Sequence, residues 1–203
     1  MLQPLRPKIC DQESLLWAAA QQNAFSLGGS PPEGVEITEL VLLLAGFTLA
    51  HAAWSASDLP RDELLTPMMI VVVNEQRTLT RYEAQTQTEA IAQGRKAAER
   101  ESALGHAWAF AHDGTIRTGH GVVDVLVVEF WEPGMPAPVQ LVQQYEPYHR
   151  RQQFHVLGQM DFRVGDSVLV EKAASGARAI VLEGVASHQR AGPSWNTWQA
   201  PAP

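Results

Sequence analysis

Residues 106–131 read HAWAFAHDGTIRTGHGVVDVLVVEFW. Large side chains at His106, Trp108, Phe110 and His112 alternate with Ala107, Ala109 and Ala111. A period of two is that of a strand, and it sets bulky residues on one face and small ones on the other. Asp113-Gly114 is a favoured two-residue hairpin pair, and Gly119-His120-Gly121 breaks the pattern again. Residues 122–131, almost all β-branched, aliphatic or aromatic, form the strongest strand in the chain. The stretch predicts antiparallel strands joined by tight turns, and the rest of the chain is read outward from it.

Downstream, Glu132-Pro133-Gly134-Met135-Pro136 turns the chain and 139–145 alternates once more. Residues 154–157 read as a shorter strand. Val164-Gly165-Asp166 turns into a strand over 167–172, which Ser175-Gly176 joins to 179–182 as a terminal hairpin. From 189 onward Gly192, Pro193, Pro201 and Pro203 predict an irregular tail, with Trp195 and Trp198 packing back on the body.

Upstream, Asp11 caps a predicted helix over 12–27, ended by Gly28-Gly29, with 30–34 as a loop. Thr38 opens a second helix to about residue 56, apolar on nearly all sides, as a buried helix must be. Its apolar run, LVLLLAGFTLAHAAW over 40–54, is shorter than the about 20 residues of a membrane span and reads as a core helix. A short helical turn is predicted over 58–65. Met68-Met-Ile-Val-Val-Val73 is a central strand, returning over 78–84. Thr86-Gln87-Thr88-Glu89 has capping-box spacing for a helix to about 102, closed by Gly105.

These elements predict an α+β fold, a mostly antiparallel, meandering β-sheet packed against two or three helices. The turn signals give about five to seven strands, with the Thr38 and Thr86 helices covering one face. No linker or repeat divides the chain, so 1–203 reads as one domain: helices over 11–65, a β-rich part over 68–188 and the tail 189–203.

The 203 residues are 45% hydrophobic and carry a net charge of −7, with 15 basic against 22 acidic side chains. That field repels nucleic acid and anionic membranes, so neither is an expected partner. The first 14 residues contain two prolines and no apolar run of signal-peptide length. The single cysteine, Cys10, excludes an intramolecular disulfide and a four-cysteine metal site. Both features fit a reducing, cytoplasmic setting.

Candidate chemistry is sparse. No serine sits in a G-x-S-x-G elbow, and Gly28-Gly29-Ser30 follows a predicted helix instead of opening one, so it lacks phosphate-loop context. His112, His120 and Asp124 are donors of the type that a zinc or iron site uses, and they define a possible metal-dependent hydrolase. Asp124 and Glu129 are an odd number of residues apart, so a regular strand points them to opposite faces. The turn containing Tyr145, Glu146, Tyr148, His149 and Arg150 gathers residue types enriched in contact surfaces. It makes a protein partner the favoured expectation, with no cofactor and no catalytic residue assigned. A small-ligand carrier with a cavity lined by aromatics such as Trp108, Phe110 and Phe130 is the third reading. His51 reads as a core histidine, and His188 has no evident partner. The oligomeric state is left open.

Overall fold

The computed structural model describes residues 24–27, 35–61, 63–119, 121–165, 167–168 and 171–199. Two short strands, β1 (Ala24–Leu27) and β2 (Val35–Thr38), pair antiparallel and lead into α1 (Glu39–Ala56). The main sheet follows: β3 (Met68–Val73), β4 (Gln76–Arg81), β5 (Ala107–Thr118), β6 (Gly121–Trp131), β7 (Val139–Glu146), β8 (His155–Val164) and β9 (Ser167–Val168). Helix α2 (Gln87–Ala103) lies between β4 and β5, and a single turn, α3 (Tyr148–Arg151), between β7 and β8. Helices α4 (Glu171–Ser187) and α5 (Ala191–Trp198) complete the chain. The strand order is β4-β3-β5-β6-β7-β8-β9 with every neighbouring pair antiparallel, an α+β fold with a meandering sheet.

Side-chain size sorts the helices onto faces. Ala109 and Ala111 of β5, with Met68, Ile70, Leu126 and Val128, lie under α1 in the main core. Trp108 and Phe110 point the other way, with Met69 and Val71, into a smaller core under α2. There the capping box at Thr86 and Glu89 is formed, and α2 presents Ala90, Gly94, Ala97 and Ala98 to the sheet. A methyl group on Gly94 would run into the Phe110 ring. The two sequence-predicted helices therefore cover opposite faces, not one. Each takes the face whose side chains leave it room.

Helix α1 is apolar all round because it is covered on both sides. The sheet lies on one side and α4 on the other, through Val181 and Val185. Burying each of Leu42, Leu44 and Leu49 completely stabilises the fold by roughly 1.5–3 kcal/mol. The helix meets the length and apolarity of a membrane span, yet 67% of that span is buried within the protein. Its start is pinned by Glu132, whose carboxylate accepts from the Thr38 backbone N–H and hydroxyl at 2.6 Å each. Helices α1 and α4 cross with backbones in contact: Gly46 meets the Val181 carbonyl and Gly184 meets that of Leu43, leaving no room for a Cβ at either.

Several local expectations are corrected. Residues 24–27 are strand, not the end of a helix; the remainder of that predicted helix lies outside the described residues. Over the described part of 58–65 no helix forms, only a single turn in which the Glu63 N–H donates to the Pro60 carbonyl at 3.1 Å. Asp113-Gly114 is mid-strand, with Gly114 opposite Val125, and the reversal comes at Thr118 and Gly121. The Asp113 carboxylate, which a turn would have used locally, instead accepts from Leu65 N–H (3.2 Å) and Gln87 Nε2 (2.6 Å). Strand β8 runs on to Val164. The predicted terminal hairpin is helix α4: Ala174, Ala177, Val181 and Val185 recur at three- and four-residue steps and are buried, the helical period. Residues 191–198 of the tail are helical, with Trp195 buried.

Candidate functional site

On α1, Phe47, His51 and Trp54 stand four and then three residues apart, so they form one stripe. That stripe meets His188, just past the end of α4. His51 Nδ1 and His188 Nε2 are 3.0 Å apart. His188 Nδ1 accepts the Ala191 backbone N–H at 3.0 Å, where α5 begins. Phe47 packs on the His188 ring at 4.9 Å, and Trp54 on the His51 ring at 5.7 Å.

Arginines surround the pair. In β4 the register places Arg77, Leu79 and Arg81 opposite Val72, Ile70 and Met68, on the α1 side of the sheet. The Arg77 guanidinium lies over Phe47 at 4.5 Å, and Arg190, between α4 and α5, lies over Trp54 at 5.3 Å. Arg81 reaches His51, with its terminal nitrogen 3.3 Å from Nε2. Among the described residues no carboxylate lies within ion-pair distance of Arg81 or Arg190.

The hydrogen atoms in this chain can be counted. It has three links: Ala191 N to His188, His188 to His51, and His51 to Arg81. Three links need three hydrogens. The amide and the guanidinium bring one each, and each neutral imidazole brings one more, a total of four. The Ala191 amide is buried and cannot turn away, so His188 Nδ1 is an acceptor, its Nε2–H donates to His51 Nδ1, and His51 Nε2 carries a hydrogen. That hydrogen faces the Arg81 guanidinium, so two donors meet at the exposed end. Protonating either ring would add a fifth hydrogen. Burial, then the charge of His188 and Arg81, pushes His51 down to about 4. Burial, then Arg77 and Arg190, does the same to His188, also to about 4. Both rings are neutral near pH 7.

A second cluster on the α2 face has the opposite balance. Glu129 of β6 is buried, and Arg95 of α2 donates to its Oε1 through Nε (3.0 Å) and a terminal nitrogen (2.6 Å). His112 Nε2 stands 3.7 Å from the same oxygen, and its Nδ1 is 2.9 Å from the Asp113 carbonyl. Burial alone would raise the Glu129 carboxyl; His112 and Arg95 outweigh it and hold it below the usual range. Across the strand the Asp113 carboxyl is raised by burial, against the hydrogen bonds from Leu65 and Gln87.

The sequence-predicted residues are distributed as follows. His112 packs near Phe110 on the α2 face, whereas Asp124 lies opposite Tyr145 on the other face and pairs with Arg150 at 2.7 Å. The structure thus does not bring His112 and Asp124 together, and His120 lies outside the described residues. Asp124 and Glu129 do occupy opposite faces. Tyr145 is buried against Phe154 and so is not an exposed contact; burial, then Asp113 and Asp124, raises its phenol. Tyr148 is 47% exposed, and His149 and Arg150 are exposed beside it, while Glu146 is half-buried. Sequence reading missed the pairing of His51 with His188, which lie 137 residues apart. The only local signal was the 47–51–54 spacing on α1. The chain matches no family model, no curated protein and no solved structure.

Proposed function

We propose that this chain is a binding protein that holds an anionic group, a carboxylate or phosphate oxygen, between His51 Nε2 and Arg81. The surplus hydrogen in the Ala191–His188–His51–Arg81 chain supports this reading best. Two donors facing each other are satisfied by one acceptor placed between them. An oxyanion supplies the lone pairs for both and the charge that the Arg81 guanidinium favours. Trp54 packs on the His51 ring and Phe47 on that of His188, an apolar setting that strengthens a charged hydrogen bond. The net charge of −7 does not oppose this, because salt screens distant charges over about 8–10 Å and Arg81 is 3.3 Å from His51 Nε2.

The test is a titration with inorganic phosphate at constant ionic strength, read at the His51 imidazole nitrogens by 15N NMR. The expected result is a saturable shift of Nε2 and loss of about tenfold or more in affinity for Arg81→Ala, as for a charge-assisted bond. A His51 signal that responds to phosphate no differently than to chloride would overturn the reading.

A further inference from the structure

We propose that the edge strand β4 takes up an extended acidic segment of another protein, pairing with it strand to strand, and that one of its carboxylates fills the His51–Arg81 position. This rests on the reading above and names the partner class for the same site.

Strand β4 is the first in the sheet order, so one side is paired with β3 and the other is an edge. The β3–β4 hairpin closes through Asn74 (φ 50°) and Glu75 (φ 64°), a two-residue turn with both residues left-handed. In such a hairpin the flanking pair, here Val73 and Gln76, exchanges hydrogen bonds, and every second pair does so after it. The Tyr82 N–H donating to the Pro67 carbonyl at 2.8 Å continues the same parity. Gln76, Thr78 and Thr80 therefore turn their backbone groups toward β3, and Arg77, Leu79 and Arg81 turn theirs to the edge. At Leu79 and Arg81 these groups meet no backbone partner among the described residues.

The same three residues carry the side chains on the α1 side. The edge thus reads Arg–apolar–Arg along about 13 Å at two-residue steps, with Arg81 ending at the donor pair. An added strand places alternate side chains beside these: an acid meets Arg81 and an apolar residue Leu79, while the Arg77 guanidinium is turned in over Phe47. The order acid, apolar, acid thus offers Arg81 its acid. The order is symmetric about the centre, so it fits either strand direction. A second copy of this chain fits poorly. Antiparallel self-pairing about Leu79 would set Arg77, not an acid, opposite Arg81 and leave the donor pair at His51 without an acceptor. The edge thus favours an acidic strand over a second copy.

The probe is the capped peptide Thr-Glu-Thr-Val-Thr-Glu-Thr, added to the full-length protein labelled with 15N. Binding is expected to slow hydrogen exchange at the Leu79 and Arg81 amides and to shift His51 Nε2. A peptide with lysines for both glutamates is expected not to bind. Methylating the valine nitrogen keeps both acids but removes a strand-pairing donor, and is expected to weaken binding about tenfold. If the peptide and its N-methyl form act alike, shifting His51 without protecting Leu79 and Arg81, the strand pairing is wrong while the anion site stands. If neither the peptide nor phosphate moves His51, the anion site itself fails. Protection of the same amides in the free protein at rising concentration, with a dimer in sedimentation, would overturn the argument against self-pairing.

Discussion

Two imidazole clusters sit on opposite sides of one sheet, and they differ in where negative charge comes from. On the α2 side His112 and Arg95 face Glu129, an acid supplied by the chain itself. On the α1 side His51 and His188 face Arg77, Arg81 and Arg190, and among the described residues no acid lies within ion-pair reach of Arg81 or Arg190. The first has its acid within the fold, bonded to Arg95, although the buried His112 Nε2 stands 3.7 Å from it without a hydrogen-bond partner among the described residues. The second has a hydrogen too many at an exposed end, the feature on which the proposed anion site rests. Arg95 beside a buried carboxylate is matched within the fold; guanidinium groups around neutral rings are what the anion-binding reading proposed above rests on.

The largest separation between the two clusters should appear in the pH dependence of stability. His51 and His188 have folded values near 4, below the ordinary 6.5. Below pH 6.5 the unfolded chain binds protons that the folded one refuses, so stability falls between about 6.5 and 4, by up to about 3 kcal/mol for each ring. Glu129 is lowered from 4.5, so its contribution is present above that value and is lost only in stronger acid. Urea denaturation from pH 7 to 3 should resolve the two windows. A double variant His51→Phe, His188→Phe should flatten the first alone.

Next in size, Glu129→Ala should cost about 2 kcal/mol, because it empties a buried site and takes the acid away from the buried His112 as well as from Arg95. Arg95→Ala should cost less in that background than in the wild type, in a double-mutant cycle. Phosphate at about ten times its dissociation constant should add about 1.4 kcal/mol to the wild type and far less to Arg81→Ala, measured by thermal shift with chloride as the control. The smallest effect separates the clusters most sharply. Arg81→Ala without ligand should change stability by less than about 0.5 kcal/mol, since it removes one of two opposed donors. A loss near that of Glu129→Ala would mean that Arg81 serves the fold and not a ligand.

The elements that sequence reading located are those whose signals are local. The Thr86–Glu89 box, the β-branched run Met68–Val73 and the strand that became β6 each carry their period within a few residues. Helix α4 was missed because Ser175-Gly176 resembles a turn, while the three-and-four spacing of Ala177, Val181 and Val185 became visible only over a longer window. Asp113-Gly114 misled for a related reason: the residues that take its carboxylate out of turn chemistry, Leu65 and Gln87, lie 48 and 26 positions away. The candidate site was beyond reach altogether. Its four elements are separated in the chain, and no pattern in residues 47–54 specifies that a histidine at 188 will meet them. Topology brings them together, and a single sequence does not encode topology in any short window.

The glycine contact between α1 and α4 has a consequence for how the proposed anion site tolerates change. His51 lies five residues beyond Gly46 and His188 four beyond Gly184, about 6–8 Å along each helix. With backbone resting on backbone at the pivot, the two rings ride on short, stiff arms, and thermal rocking displaces them little. One added methyl at either pivot would splay those arms and part the rings, so ligand recognition would be lost through substitutions at positions that no ligand touches.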